Sequence, residues 1–147
     1  MKIVIAGAGD VGTHLAKLLA SEDHDIYLID RSEESLAAVS SQIDVFTITG
    51  DAKSVEIMEH KLIESCDLLI AVTSSEETNM LICILGKKLG AKRTIARIND
   101  VNIVKEGKEH FYHDLGIDTL ISPTHLATLE IQPVSYTHLR AHETNQD

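Results

Sequence analysis

Three glycines and one carboxylate carry the clearest chemistry in this chain. Gly7, Gly9 and Gly12 stand in the spacing Gly-x-Gly-x-x-Gly, directly after the apolar run of residues 2–6 and directly before a helical pattern. In that setting Gly7 permits a tight turn, Gly9 lets the backbone approach a pyrophosphate, and Gly12 lets the helix lie close on the strand. Backbone N–H groups at the positive end of the helix would hold the anion. Asp30 closes the next apolar run, 18 residues after Gly12, where a carboxylate can accept a hydrogen bond from a ribose 2′-hydroxyl and would repel a 2′-phosphate. NAD(H) or an adenine nucleotide is therefore favoured over NADP(H). The plainer reading, a structural glycine turn and an ordinary acidic loop residue, does not account for strand, glycines, helix and acid falling in register. Arg31 could pair with a 2′-phosphate or stand solvated beside the strand.

Further candidates lie where later apolar runs end, because ligands on open α/β sheets bind outside the carboxyl ends of the strands. Gly50-Asp51-Ala52 follows the third run, Thr73-Ser74 the fourth, and Arg97 ends the fifth. Their plainer readings are an Asx turn, a helix N-cap and a solvated charge. Asp10 lies inside the glycine loop, points away from any phosphate and supports the first turn of the helix through its dipole. His110 and His113, beside Asp114, have a spacing that could hold a metal, but no further ligands accompany them, so a polar helix face is expected. The chain lacks a Gly-x-Ser-x-Gly elbow, a phosphate loop ending in Gly-Lys-Ser/Thr, and His-Glu-x-x-His.

The elements that must position these residues alternate regularly. Residues 2–6, 26–29, 45–48, 67–72, 93–98 and 119–121 read as short buried strands. Between them, Val11, Leu15, Leu18 and Leu19 form one helical stripe that packs on a sheet. Ser32 caps a second helix, and a short one runs over residues 54–62. Met80, Leu81, Ile84, Leu85 and Leu89 share a face of a helix that Gly90 ends. A helix over residues 101–115 stops at Gly116, and a last one starts at Ser122-Pro123. The pattern predicts an α/β fold: a Rossmann-like, doubly wound parallel sheet of about six strands in a single domain. That domain spans residues 1–132. Residues 133–147 are polar and aperiodic, resemble a translated cloning tail and are expected to be disordered or non-native, which implies a longer natural protein.

Composition narrows the partners. The 23 acidic and 13 basic side chains leave a formal charge of -10, which repels phosphate backbones and anionic lipids, so nucleic acid is not expected as a partner. No apolar run approaches the roughly 20 residues of a membrane span, so direct membrane insertion is not expected, nor is a signal peptide. Cys66 and Cys83 have no Cys-x-x-Cys spacing and read as reduced, buried thiols of a cytoplasmic protein.

Taken together, residues 2–12, Leu28-Ile29-Asp30, Gly50-Asp51-Ala52, Ala71-Val72-Thr73 with Glu77-Thr78-Asn79, Ala96-Arg97 and Ile121-Ser122-Pro123 resemble the TrkA N-terminal domain, also called the KTN or RCK domain. The resemblance covers residues 1–131. It implies a regulatory, non-enzymatic lobe of a potassium uptake system that binds NAD(H) or ATP/ADP. By the same resemblance it forms homodimers or larger assemblies at the inner face of the cell membrane and signals to a membrane potassium-translocating subunit of the TrkH or KtrB kind. Carried over by position, Gly7, Ala8, Gly9, Asp10, Val11 and Gly12 would surround the phosphates, and Asp30 with Arg31 the ribose. Asp51 and Ala52 would lie near the adenine, with Thr73, Ser74, Asn79 and Arg97 along the rest of the cleft. The family's smaller C-terminal regulatory domain is not in this sequence. The alternative is the cofactor domain of an NAD-dependent oxidoreductase whose substrate domain is missing.

Overall fold

In the computed structural model, which describes residues 1–58, 61–99, 107 and 109–122, the β-branched run at the start of the chain becomes the centre of a sheet. Strand β1 (Lys2–Ala6) pairs in parallel with β2 (Asp25–Asp30) on one side and β4 (Leu68–Ala71) on the other, so that Ala6 sits between Ile29 and Ala71. With β3 (Phe46–Thr49), β5 (Arg93–Arg97) and β6 (Thr119–Ile121), the six strands stand in the order β3-β2-β1-β4-β5-β6, all parallel. The expected doubly wound sheet is the observed one. The helices among the described residues are α1 (Asp10–Ala20), α2 (Glu33–Ser40), α3 (Val55–Met58), α4 (Lys61–Ser65), α5 (Glu76–Leu89) and α6 (Glu109–Leu115).

Alternation along β1 divides the core in two. Ile3 and Ile5 face a cluster with Ala16, Leu28, Leu36 and Val39, beneath α1 and α2. Val4 and Ala6 face the opposite cluster with Leu62, Ile82, Cys83 and Ile98, beneath α4 and α5. Burial on both faces explains why the central strands read as continuous apolar runs.

Two expected packing faces are corrected. On α1 the buried residues are Gly12 and Ala16, whereas Leu18, expected in the packed stripe, is 46% exposed. On α5 the buried residues are Asn79, Ile82, Cys83 and Gly86, and Leu81 and Leu89 of the expected face point outward. On α1 the small residues Gly12 and Ala16 take the interface, and on α5 Cys83 and Gly86 do so beside Ile82 and Asn79, while Leu15, Leu19, Ile84 and Leu85 pack from the flanks.

The N-cap of α5 is Ser75, whose Oγ accepts from Thr78 N–H at 3.2 Å, and not Thr73-Ser74. Gly90 ends the helix as expected, in the left-handed conformation at φ +119°. β3 begins one residue later than expected, and its Phe46 stacks on Tyr27 at 4.7 Å between ring centroids. In place of one helix over residues 54–62 stand α3 and α4, on either side of residues outside the description. The first part of the helix expected over 101–115, the helix expected from Pro123 and the tail 133–147 lie outside the described residues.

Candidate functional site

At β1 and β4 the chain turns to opposite sides of the sheet, and a crevice opens above their carboxyl ends. This cleft has a volume of about 600 Å³. The glycine loop forms its floor. Gly7 takes φ +115° immediately after β1, and its N–H donates to the Ile29 carbonyl at 2.8 Å. A β-carbon on Gly7 would stand 3.0 Å from the backbone of Val72 and Thr73, and one on Gly12 would overlap the Gly7 carbonyl oxygen. A β-carbon on Gly9, by contrast, would meet nothing within 4 Å. The three glycines thus have different tasks: Gly7 turns the chain, Gly12 seats the helix, and Gly9 leaves the floor open toward the cleft.

Helix α1 begins at that floor without a side-chain cap, because its N-cap is Gly9. Helices α2 and α5 are each capped by a serine, Ser32 and Ser75. The uncapped N–H groups of α1 and its positive dipole end are therefore left for a group supplied from the cleft. Asp10 lines the cleft from the first position of α1.

Asp30 ends β2 and holds the loop from below. Its Oδ2 accepts from Ala8 N–H at 2.7 Å and its Oδ1 from Ser32 N–H at 2.8 Å. One carboxylate thus braces the glycine loop and the start of α2, while each oxygen keeps acceptor capacity toward the cleft. Beside it Arg31 reaches the Asp51 carboxylate at 2.7 Å, with Lys53 at 3.4 Å from the same oxygen. The Arg31 hydrogen bond and the Lys53 N–H on Oδ1 pull the Asp51 carboxyl down to about 2. The same pair raises the Arg31 guanidinium above its ordinary value. Arg31 therefore does not stand unpaired: largely exposed, it clasps the loop after β2 to the loop after β3. Asp51 also makes the Asx turn read from Gly50-Asp51-Ala52.

Across the crevice, Thr73 follows β4 and Arg97 ends β5. Asn79, 1% exposed, ties them together. Its Oδ1 accepts from Thr73 N–H at 2.8 Å and Thr73 Oγ1 at 2.6 Å, and its Nδ2 donates to the carbonyls of Thr73 and Arg97, both at 3.0 Å. The Nε of Arg97 is buried without a hydrogen-bond partner.

Of the residues expected at the site, Gly7, Gly9, Asp10, Val11, Asp30, Arg31, Asp51, Ala52, Thr73, Ser74 and Arg97 line the cleft. Ala8, Gly12 and Asn79 support it from behind. Gly50, named among the candidates at the strand ends, also lines it, whereas sequence reasoning missed Lys53, Ser75, Thr78 and Ile82. Thr78 and Ile82 were legible in principle as the turn of α5 that follows β4. The cleft charges balance, with Asp10, Asp30 and Asp51 against Arg31, Lys53 and Arg97. His113 lies 3.4 Å from Asp118, and His110 packs on Phe111. Among the described residues no group of three His, Cys, Asp or Glu could hold a metal ion, and no helix is long and apolar enough to cross a membrane.

This glycine-floored crevice has a family. The model of the TrkA-N domain matches residues 3–123. The chain belongs to the TrkA-N domain family. The Trk system potassium uptake protein TrkA of Haemophilus influenzae is 40% identical over 133 residues, covering 89% of this chain and 29% of its own length. The TrkA homolog of Archaeoglobus fulgidus is 41% identical over 128 residues, covering 84% of this chain and 28% of its own. This TrkA-N chain thus spans less than a third of either relative. Among solved structures, the TrkA-N domain of the inner membrane protein ybaL from Escherichia coli shares the fold at TM-score 0.71 and 17% identity, covering 91% of this chain and 96% of that one. The Kef C-terminal domain of Shewanella denitrificans in AMP-bound form does so at TM-score 0.64 and 21% identity, over 95% and 82% of the two chains. The GsuK channel bound to NAD does so at TM-score 0.66 and 14% identity, over 82% and 21%.

Proposed function

We propose that this TrkA-N domain is the nucleotide-sensing lobe of a potassium uptake system, formed by residues 1–132 and holding NAD(H) or ATP/ADP in the cleft. The observation that carries the reading is the start of α1, uncapped and open above Gly9 at the floor of a 600 Å³ crevice. The adenosine lies toward Asp30, Arg31, Asp51 and Ala52, with Asp30 accepting from the ribose. The phosphates lie over the loop from Gly7 to Gly12 and the N–H groups of α1. The remainder of the ligand runs along Thr73, Ser74 and Arg97. The AMP and NAD in the two structural neighbours named for them support an adenine nucleotide.

The lobe regulates and does not catalyse: the relatives at about 40% identity are named as potassium uptake proteins. Two nucleotides compete for the cleft, and each shifts the domain between two states by no more than its difference in affinity for them. The state passes to a membrane potassium-translocating subunit of the TrkH or KtrB kind, which holds the lobe at the cytoplasmic face of the membrane. Leu81, Leu89, Phe111 and Leu115, exposed on α5 and α6, support assembly into a homodimer or larger ring. The test is calorimetric titration with NADH, NAD, ATP, ADP and NADPH, each followed by a thermal melt. Tight NADH or ATP with weak NADPH is expected, and a ligand at 100 times its Kd should stabilise the fold by about 2.7 kcal/mol. No binding by any of the five refutes the reading.

A further inference from the structure

The Asn79 amide has two donor hydrogens and two acceptor lone pairs, and the fold uses all four. Its partners are the N–H, hydroxyl and carbonyl of Thr73 and the carbonyl of Arg97. Nothing remains with which to contact a ligand, and the side chain is buried behind the cleft wall. The residue also sits in the first turns of α5, where its backbone N–H donates to the Ser75 carbonyl at 3.0 Å. Three elements therefore meet on one side chain: the end of β4, the end of β5 and the N-terminal turns of α5. Two of the residues it holds, Thr73 and Arg97, line the half of the cleft away from Asp30. That half contains Arg97 as its one cation among the described lining residues, and the buried Nε of that arginine gains no hydrogen bond from the protein.

We propose that Asn79 is the positioning residue of this distal half: it fixes Thr73 and Arg97 relative to one another so that the far end of the ligand meets a rigid frame. The inference rests on the proposed nucleotide function and goes beyond it. Asn79 acts on how tightly the cleft holds whatever extends beyond the first phosphate. The adenosine half, braced separately by Asp30 and by the Arg31–Asp51 clasp, is independent of it.

On the proposed placement AMP would fill only the adenosine half and the phosphate floor, while ATP and NADH would also reach Thr73 and Arg97. The test compares these three ligands by calorimetry in the full chain and in Asn79→Asp. That substitution keeps the shape and the acceptor toward Thr73 but turns a second oxygen onto the two carbonyls. ATP and NADH are expected to weaken by about tenfold or more, equal to about 1.4 kcal/mol, with AMP within about twofold of the parent. Should the aspartate variant not fold, Asn79→Ser, measured below its melting temperature, carries the same comparison with the same expected split. Equal losses for all three ligands would mark Asn79 as a general structural residue and overturn the proposal, as would no loss for any. Failure of the parent chain to bind AMP, ATP and NADH would show before any substitution; it would refute the nucleotide reading and this inference with it.

Discussion

Gly12→Ala and Gly9→Ala add the same methyl group three residues apart and should have opposite consequences. At Gly12 the new carbon would overlap the Gly7 carbonyl oxygen, stand 2.8 Å from the Gly7 carbonyl carbon and 3.3 Å from Val72 Cγ2. That carbonyl cannot retreat. The Gly7 N–H is bonded to Ile29 at 2.8 Å, and the next N–H along, that of Ala8, is bonded to Asp30 at 2.7 Å. Helix α1 must therefore shift away from the sheet. Overpacking of this kind costs about 1–3 kcal/mol, with a clash against fixed backbone at the upper end. Alanine recovers about 1 kcal/mol of helix propensity, which leaves a net loss of about 2 kcal/mol. At this chain length each kcal/mol moves Tm by about 2–4 °C, so the melt should fall by roughly 4–8 °C. At Gly9 the methyl group meets no atom within 4 Å and the backbone is extended, so Tm should stay within about 2 °C. Nucleotide affinity should fall instead, because the methyl stands where the pyrophosphate approaches. Gly9→Asp adds a negative charge there, and one like charge about 5 Å from a phosphate costs about 3 kcal/mol at an effective dielectric of about 20, or two orders of magnitude in Kd. Thermal melts and titrations of the three variants decide the matter. A Gly12→Ala protein as stable as the parent, or a Gly9→Ala protein destabilised as much as Gly12→Ala, would refute the division of labour among the glycines.

Asp30→Asn must point an NH2 group at either the Ala8 or the Ser32 N–H, leaving that donor unsatisfied at a cost of about 1–2 kcal/mol. The melt should drop even without ligand, and an unchanged Tm would mean the brace carries no load. Arg31→Ala should return the Asp51 carboxyl from about 2 toward its ordinary 3.8, measured by the pH titration of its carboxyl carbon in NMR spectra. Because the folded value is the lower one, the clasp contributes to stability above about pH 4 and is lost as pH falls through about 2. Its contribution is small, since Arg31 is largely exposed. Burial pushes the Cys66 thiol up to about 11 and Cys83 up to about 12. At pH 8 a disulfide reagent should therefore modify neither in the native chain and both after unfolding; rapid native labelling would contradict their burial.

The order of strands and helices, the glycine floor and Asp30 were legible in the linear chain because each is a local matter. A buried parallel strand is an unbroken apolar run, a tight turn requires glycine, and a helix end requires a cap or a stop. Partnerships between distant residues were not. Nothing local in Arg31 distinguishes a solvated charge from one held by Asp51, 20 positions away, and only the pairing of β2 with β3 brings the two loops together. Helical periodicity identified leucine stripes on α1 and α5, but periodicity measures apolarity and not distance. At the sheet, glycine, alanine, cysteine and asparagine take the interface together with Ile82, and some leucines are turned out. Asn79 shows the same division at the site: only the family resemblance marked it as a residue of the cleft, and its place behind the wall depends on β4 and β5 arriving side by side. Their parallel pairing aligns Ala71 with Ala96, so Thr73 and Arg97 emerge together and one buried amide can join both.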